Sequence, residues 1–337
     1  MNDMNDMNDM NDQNTSQALI EVQNLRKYFY LNRRETVHAV DDISFDIQPN
    51  EILGLVGESG SGKSTLGKTI LGLHPKTSGR VYYKNETLPK QYKPADFRRF
   101  ARTMQMIFQD PYSSLNPRMT IGEIIGEGLK LHTTMASKNI QEKTAEWLEK
   151  VGLSSGQMSR YAHEFSGGQR QRIGIARALI VQPEFVICDE PLSALDVSVQ
   201  AQVVNLLESL KSSMGLTLLF IAHDLSIVRY ISDRMAVMYL GSLVEIGPTD
   251  QVFFEPKHPY TRLLIDSNPE PDPRQERYKK RETIHGEIAS PINIGRGCRF
   301  VSRCPKAMKE CYERTPTLEP SHSVDTTKHA VACHLYD

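Results

Sequence analysis

The stretch EILGLVGESGSGKSTLGKTILGLH, residues 51–74, joins a short apolar run, a glycine-rich loop and a segment with helical spacing. Within it, GESGSGKS at 57–64 satisfies the pattern G-x-x-x-x-G-K-[ST] in the strand–loop–helix context that the pattern requires. Glycines let the backbone wrap a phosphate closely, and the N-terminus of the following helix adds partial positive charge. The stretch therefore predicts a nucleotide-phosphate site at the start of an α/β domain.

Two side chains of this loop distinguish it from an ordinary glycine-rich turn, which is the structural alternative. Lys63 is expected to place its ammonium on the outer phosphates, and the Ser64 hydroxyl is expected to ligate Mg²⁺. The predicted phosphate-binding residues are Gly57, Glu58, Ser59, Gly60, Ser61, Gly62, Lys63, Ser64 and Thr65.

Three later apolar runs each end in polar residues suited to the same chemistry. EFVICDEP places Asp189 where it can hold Mg²⁺, directly or through water, and Glu190 where it can polarise an attacking water. TLLFIA delivers His223, which can reach the γ-phosphate or Glu190. Gln109 follows the run MQMIF and can ligate Mg²⁺ or order the water. Alone, His223 indicates a capping residue and Gln109 a surface amide, but their order along the chain favours catalysis.

A second glycine-rich element lies about a hundred residues after the first, in EFSGGQRQR at 164–172. A serine, two glycines and a predicted helix start are the ingredients of an anion site. Its residues are Ser166, Gly167, Gly168 and Gln169. One nucleotide needs one phosphate loop, so the second element calls for a different ligand or a different partner.

The composition is that of an ordinary globular protein. The 337 residues are 39% hydrophobic and 24% charged, and 40 basic against 41 acidic side chains give a net charge of −1. This balance gives no support to a nucleic-acid binder that relies on a large basic surface. No apolar run approaches the roughly 18 residues of a spanning helix, and no signal segment is recognised. We therefore expect a cytosolic protein that meets the membrane only through a partner.

The chain divides into an N-terminal repeat, an α/β region and a C-terminal module. Residues 1–17 begin with four Met-Asn-Asp repeats and predict a disordered tail whose aspartates are solvated rather than metal-bound. From Ala18, strands and helices alternate, which favours a mainly parallel sheet, with a helical insertion over about 92–165. DRMAVMYLGSLVEIG predicts a hairpin that turns at Gly241-Ser242.

Together these motifs resemble the ATPase subunits of ATP-binding cassette transporters, over about 18–337. The resemblance implies a P-loop NTPase fold with helical and antiparallel β subdomains, and ATP and Mg²⁺ as cofactors. It makes Ser166–Gln169 the signature motif, which caps the γ-phosphate held by a partner cassette packed head to tail. It also makes Phe29, beside Tyr28, the residue that stacks on adenine. Residues 193–196 are the D-loop, which touches the partner and ends at Asp196. Gln109 is the Q-loop glutamine, and His223 is the switch histidine.

Two stretches and the cysteine-bearing tail narrow the resemblance to the ATPases of oligopeptide and dipeptide permeases. These are FQDPYSSLNPRMTIGEII at 108–125 and HPYTRLL at 258–264. The resemblance implies a cassette domain over 18–255 and that family's C-terminal domain over 256–337. It further implies a heterodimer with a sister cassette, two transmembrane permease subunits, an extracytoplasmic peptide-binding protein and no nucleic acid. The expected location is the cytoplasmic face of the bacterial inner membrane.

Two alternatives remain open for the function. Related ATPases serve nickel or glutathione importers, and this chain does not itself meet the transported ligand. A soluble cassette protein that acts on ribosomes or DNA is the remote alternative. Such proteins usually carry two cassettes or a coiled-coil insertion, whereas this chain has one signature and no basic excess.

Four of the five cysteines lie in the C-terminal module, with the spacing C-x5-C-x6-C-x21-C. This spacing differs from the C-x2-C pairs of ordinary zinc fingers, so by itself it is a weak metal signal. Relatives with matching cysteines carry a [4Fe–4S] cluster, and the resemblance assigns that role to Cys298, Cys304, Cys311 and Cys333. Zinc, with His334 replacing one thiolate, is the second candidate, and unligated thiols are the third.

Overall fold

The computed structural model describes residues 17–267, 290–318 and 329–337, so the predicted N-terminal tail lies almost wholly outside the described residues. The strands are β1 (Ile20–Tyr30), β2 (Thr36–Ile47), β3 (Ile52–Val56), β4 (Ser78–Tyr83), β5 (Glu86–Thr87), β6 (Met104–Ile107), β7 (Phe185–Asp189), β8 (Thr217–Ile221), β9 (Arg234–Tyr239), β10 (Ser242–Pro248) and β11 (Ala330–Val331). The helices are α1 (Lys63–Ile70), α2 (Pro94–Phe100), α3 (Pro111–Ser114), α4 (Ile121–His132), α5 (Ser137–Lys150), α6 (Gly167–Leu179), α7 (Val197–Met214), α8 (Leu225–Ile231), α9 (Thr249–Phe254), α10 (Pro259–Asp266) and α11 (Glu310–Glu313).

These strands form two sheets. The main sheet has the order β11-β10-β9-β3-β8-β7-β6, in which β9, β3, β8, β7 and β6 are parallel and β10 and β11 continue antiparallel. The second sheet is antiparallel, in the order β2-β1-β4-β5. The predicted α/β fold with an antiparallel β subdomain is therefore confirmed.

The central strands β3, β7 and β8 are short, apolar and buried along their whole length. Such runs are typical of parallel strands covered on both faces. Helix α1 packs beside them, and a side chain at Gly67 would meet Ile187 and Ile221 at 3.0 and 3.3 Å. Because parallel strands end at one edge, the loops after β3, β7 and β8 meet there. This edge is where ligands bind in open α/β sheets.

Helices α4, α5 and α6 pack together as the helical region, with Trp147 buried among them. Thr120 begins α4 as its N-cap, and a reciprocal pair of bonds with Glu123 completes a capping box. The predicted helical interval 92–165 also contains β6, which pairs with β7 in the main sheet. The interval therefore contributes both helices and one sheet strand.

The predicted hairpin is β9–β10, and its turn lies one residue earlier than expected, at Leu240-Gly241. Both residues have positive φ, 41° and 82°, as the tight hairpin turns require. The Gly241 N–H donates to the carbonyl of Ser61 at 2.8 Å. The hairpin turn thus supports the glycine-rich loop after β3.

The HPY stretch begins α10 and is held by a buried carboxylate. Glu245 is fully buried, and its oxygens accept from the N–H groups of Lys257 (2.7 Å) and His258 (2.9 Å). His258 Nδ1 accepts from the Tyr260 N–H at 3.0 Å, which caps the helix. Burial lowers the pKa of His258 to about 4, with Glu245 opposing the shift. The neutral imidazole is therefore part of the native cap.

We expect His258 to make folding sensitive to acid. Its pKa is about 4 when folded and about 6.5 when unfolded, so the unfolded chain binds the extra proton between these values. Stability from this group is present above pH 6.5 and is lost as the pH falls toward 4, by about 2 kcal/mol at pH 5. His258→Asn keeps a capping oxygen without the titration, so urea unfolding from pH 8 to pH 5 should show a smaller loss. Equal losses in both proteins would contradict the assignment.

Within the described ranges, no helix is both long and apolar enough to cross a membrane.

Candidate active site

The glycine-rich loop after β3 is pressed against neighbouring backbone. A Cβ at Gly62 would lie 2.0 Å from the Ala39 carbonyl oxygen, and one at Gly57 would lie 2.2 Å from that of Met238. Both residues have positive φ, 104° and 154°. Only glycine tolerates this combination of dihedral and close approach. The loop conformation is therefore built by β2 and β9 as well as by its own sequence.

Lys63 is the first residue of α1 and is only 4% exposed. Its ammonium donates to the carbonyls of Gly57 at 2.8 Å and Glu58 at 3.1 Å, and it lies 3.8 Å from a carboxylate oxygen of Glu190. Burial lowers the pKa of Lys63, while the nearby carboxylates oppose the shift. The cation is therefore folded back over its own loop, with acceptors that a phosphate can replace.

Ser64 and Asp189 meet between α1 and the end of β7. The Ser64 hydroxyl donates to Asp189 Oδ1 at 2.6 Å. Asp189 is 2% exposed, and burial raises its pKa, although Lys68, at 3.8 Å, is one of the groups that oppose the shift. The part-buried hydroxyl of Ser64 and the buried carboxylate of Asp189 lie side by side and form an oxygen-donor pair of the kind that Mg²⁺ prefers.

Glu190 lies at the centre of the predicted catalytic residues. Its carboxylate accepts from Gln109 Nε2 at 2.9 Å and lies 3.7 Å from His223 Nδ1. Its φ is 44°, a left-handed conformation that is unusual for a residue other than glycine, and its N–H donates to the Ile221 carbonyl at 3.0 Å. The fold thus brings together the ends of β6, β7 and β8, as their parallel pairing requires.

The second glycine-rich element begins α6 and is supported by the D-loop region. Ser166 is the N-cap, and it exchanges hydrogen bonds with Gln169 in a capping box. A Cβ at Gly168 would lie 2.5 Å from Val199 Cγ1, and one at Gly167 would lie 3.8 Å from Leu195. Asp196 begins α7 as its N-cap. The predicted signature and D-loop therefore form one packed surface.

Phe29 lies near the end of β1, half-buried between two basic residues. Lys27 Nζ is 4.6 Å from its ring centroid, and the His74 ring meets it edge-on at 5.5 Å. Tyr28 is engaged differently, since its hydroxyl donates to Asp41 and its ring packs on His38. A hydrogen bond thus fixes the side chain of Tyr28, whereas the ring of the neighbouring Phe29 is held by packing contacts alone.

Two residues of the C-terminal region reach the glycine-rich loop, and the sequence reasoning missed both. The Tyr260 hydroxyl accepts from the Glu58 N–H at 2.9 Å. Arg303 makes two hydrogen bonds to the Glu58 carboxylate, at 2.8 and 2.9 Å. The sequence marked these two residues only through their neighbours. Tyr260 belongs to the HPY stretch, and Arg303 immediately precedes Cys304.

The four C-terminal cysteines are free of disulfides and partly or fully buried. Burial raises the pKa of Cys298 to about 11, and the three other thiols add to the effect. Among the described residues, no three of these sulfurs lie within 4.8 Å of one another. His334 is not free to join them, because its ring nitrogens face Asp337 at 2.6 Å and the Arg314 carbonyl at 2.8 Å.

Comparison with family models gives two matches along the chain. Residues 40–193 match the ABC transporter model, and residues 244–311 match the model of the oligopeptide/dipeptide transporter C-terminal region. The first match includes the glycine-rich loop and Glu190, and the second includes the HPY stretch and three of the four clustered cysteines.

Curated relatives match almost the whole chain. A putative oligopeptide transport ATP-binding protein, YkfD of Bacillus subtilis, is 52% identical over 94% of this chain and 95% of its own length. The oligopeptide transport ATP-binding protein OppF of Salmonella typhimurium is 48% identical over 95% of this chain and 97% of its own length.

The similar solved structures are nucleotide-binding cassettes. The ATP-binding cassette MJ0796, in a dimeric post-hydrolysis state with ADP and Pi, superposes with a TM-score of 0.63 at 25% identity. The match covers 68% of this chain and 98% of that one. The cassette cbiO1 from Clostridium perfringens has the same TM-score and identity, and the match covers 71% of this chain and 92% of cbiO1. This chain belongs to the ATP-binding cassette transporter ATPases, in the branch of the oligopeptide transport ATP-binding proteins, as its motifs predicted.

Proposed function

We infer that this chain is the ATP-hydrolysing subunit of an oligopeptide importer. The proposal that the chain hydrolyses ATP rests on the position of Glu190. Its carboxylate lies within 4 Å of Lys63, Gln109 and His223, at the edge of a parallel sheet. The assignment to oligopeptides is supported by relatives named for oligopeptide transport, which are 52% and 48% identical over 94% and 95% of this chain. ATP with Mg²⁺ is the typical cofactor pair of this family.

The geometry supports a division of roles among the site residues. Ser64, Asp189 and Gln109 are the proposed Mg²⁺ ligands, and the bound ion neutralises charge on the phosphate oxygens. Lys63 exchanges its carbonyl acceptors for the outer phosphate oxygens. Glu190 orients a water and takes its proton as the water oxygen bonds to the γ-phosphorus and the bond to the bridging oxygen breaks.

The proposed γ-phosphate contacts include His223 and a second subunit. His223 is 59% exposed, which leaves its ring able to turn from Glu190 toward a phosphate. We propose that Ser166–Gln169 caps the nucleotide held by a sister cassette, with Asp196 at the same interface. The similar cassette MJ0796 is dimeric in two solved structures, which supports a contact between two cassettes. Such a split site makes association depend on ATP and dissociation depend on hydrolysis.

Ser166→Arg tests this proposal directly. The long cationic side chain at the start of α6 should block closure onto the partner's nucleotide. We expect ATPase activity at the partner's site to fall by about tenfold or more, while ATP binding by this chain is unchanged. Fluorescent-nucleotide titration and single-site hydrolysis in the heterodimer measure the two effects. Loss of ATP binding by the variant chain itself would show that the element serves its own subunit.

A surface beside the helical region supports the proposed contact with permease subunits. A cavity of about 300 Å³ lies between α2, β6 and α4. Its lining includes Leu73, Phe97 and Leu131, whose side chains are 45%, 37% and 72% exposed. Exposed apolar side chains gathered at one groove are typical of a protein–protein contact. We propose that this groove receives the permease at the cytoplasmic face of the membrane.

Affinity purification from gently solubilised membranes tests the transport assignment. We expect two polytopic permease subunits, a sister cassette and an extracytoplasmic binding protein, whose ligand can then be identified. A peptide ligand supports the proposal, whereas nickel or glutathione replaces the substrate and leaves the ATPase role in place. Ribosomal proteins, or no membrane partner, would overturn the transport assignment.

We propose that the four C-terminal cysteines hold a [4Fe–4S] cluster as a structural staple, with zinc as the second candidate. A single tetrahedral zinc ion draws thiolate sulfurs to within about 3.8 Å of one another. Among the described residues no three of these sulfurs are that close, so the support for a bound group is the four cysteines themselves and the family resemblance. Iron and sulfide analysis of anaerobically purified protein tests this. Absence of both, with zinc present, would reverse the ranking.

A further inference from the structure

The C-terminal region holds one residue of the phosphate loop from outside. Arg303 donates from Nη1 and Nη2 to the two carboxylate oxygens of Glu58, at 2.8 and 2.9 Å. Tyr260 accepts from the N–H of the same residue at 2.9 Å. Bidentate arginine–carboxylate pairs fix both partners in orientation as well as in charge. Glu58 is therefore held through its backbone and its side chain together.

Arg303 is itself held firmly. It is 7% exposed, and its guanidinium carbon lies 5.8 and 5.7 Å from the ring centroids of Tyr239 and Phe300. Its Nη1 also approaches the Tyr239 hydroxyl at 3.4 Å. These two rings and Tyr260 pack on one another, with centroids 4.6 to 5.4 Å apart. The guanidinium of Arg303 is thus positioned by a cluster of three aromatic rings, one from β9 and two from the C-terminal region.

The backbone that carries Arg303 is a tight turn between two cysteines. The Val301 N–H donates to the Cys298 carbonyl at 3.1 Å, and Cys304 directly follows Arg303. Residues 301–303 form a short 3-10 helix. Any group that binds both thiols closes this turn and limits the positions that Arg303 can take.

The negative charge of Glu58 explains why its pairing with Arg303 matters for phosphate binding. Glu58 lies in the loop that wraps the phosphates, five residues before Lys63. An unpaired carboxylate there repels phosphate and competes for the Lys63 ammonium. Pairing with Arg303 offsets the charge of the carboxylate and fixes its position. Since the Lys63 ammonium also donates to the Glu58 carbonyl, movement of Glu58 moves an acceptor of the phosphate-binding lysine.

We propose that Arg303 is a positioning residue for ATP binding, which couples the cysteine-bearing module to the phosphate loop through Glu58. The inference rests on the proposed nucleotide site at Lys63. It assigns the C-terminal module an effect on ATP affinity in addition to a structural role.

A double-mutant cycle on the full-length chain tests the coupling. We expect Arg303→Ala to weaken Mg-ATP binding about tenfold, since it leaves Glu58 charged and free. Glu58→Ala added to this variant should restore part of the lost affinity, because the unpaired charge is gone. In the assembled transporter, Arg303→Ala should raise KM about tenfold and change kcat by less than about threefold.

A second readout separates a local effect from general destabilisation. Hydrogen exchange of peptides covering 57–64 should accelerate in Arg303→Ala, with little change in α4 and α5. Arg314→Ala is the matched control, since Arg314 pairs with Glu310 and Asp337 on the same module. It should alter neither exchange at the loop nor ATP affinity. If Arg303→Ala does not fold, Arg303→Gln enters the same cycle and is interpreted in the same way.

Several outcomes would overturn the inference. Unchanged ATP affinity in Arg303→Ala would do so, as would a double variant that binds no better than the single one. Lys63→Ala, measured in parallel, distinguishes failure of this inference from failure of the proposed nucleotide site. If Lys63→Ala keeps full ATP binding, the nucleotide site itself is misassigned. Cys304→Ser should weaken ATP binding in the original chain and add little to Arg303→Ala. Full additivity of the two changes would contradict coupling through Arg303.

Discussion

Glu190→Gln is expected to reduce ATP turnover by about a hundredfold or more while leaving ATP bound. The amide keeps the shape of the side chain and can still accept from Gln109 Nε2, now 2.9 Å from the carboxylate. It cannot take a proton from water, so the chemical step loses its base. Removing a negative charge 3.8 Å from the Lys63 ammonium does not weaken phosphate binding, because the ammonium loses only a competitor. ATP-bound dimers should therefore accumulate.

Phosphate release and size-exclusion chromatography in the presence of the sister cassette measure these two effects. Glu184→Gln is the matched control, because Glu184 lies just before β7 and pairs on the surface with Lys84 at 2.5 Å. It should retain full turnover. If Glu190→Gln keeps more than about a tenth of the original rate, a different residue acts as the base.

Lys63→Ala is expected to weaken ATP binding by about a hundredfold and to abolish measurable hydrolysis at physiological ATP. The substitution deletes the cation that faces the outer phosphates. It also leaves the carboxylates of Asp189 and Glu190 without their buried counter-charge, so they repel the incoming phosphate. The two effects act in the same direction, which is why the expected loss is large.

Nucleotide titration of purified chains measures this loss directly. Lys68→Ala is the informative contrast, since Lys68 lies on the next turn of α1, with its ammonium 3.8 Å from a carboxylate oxygen of Asp189. We expect it to lose less than about fivefold, because its side chain is 35% exposed and partly screened by water. Equal losses in the two variants would mean that Lys63 acts through general charge rather than through direct contact. Thermal unfolding without nucleotide checks that both variants are folded.

Much of the nucleotide site was predictable because its residues are placed by local patterns. The loop at 57–64 is fixed by glycine spacing and by the helix that follows, both of which are readable over a few residues. Asp189, Glu190 and His223 each follow an apolar run. Once those runs are taken as neighbouring parallel strands, their ends must meet at one edge. The structure places these side chains together without any change to the predicted constellation.

The element boundaries were less predictable where tertiary pairing decides them. The interval 92–165 reads as helical, yet β6 within it joins the main sheet, because four residues beside β7 complete its edge. The hairpin turn moved by one residue to Leu240-Gly241, where the Gly241 N–H also reaches the phosphate loop. A short strand and a turn have too few residues for periodicity to specify them alone.

The contacts of the C-terminal region with the phosphate loop could not be predicted at all. Glu58 meets Tyr260 and Arg303 across sequence separations of 202 and 245 residues. Neither separation leaves a trace in spacing or composition. Family, fold, cofactor class and the order of the candidate catalytic groups follow from short motifs, because backbone geometry and parallel pairing propagate local patterns into space. The support of the phosphate loop by the C-terminal module follows from packing alone, because only the folded chain sets which buried charges become neighbours.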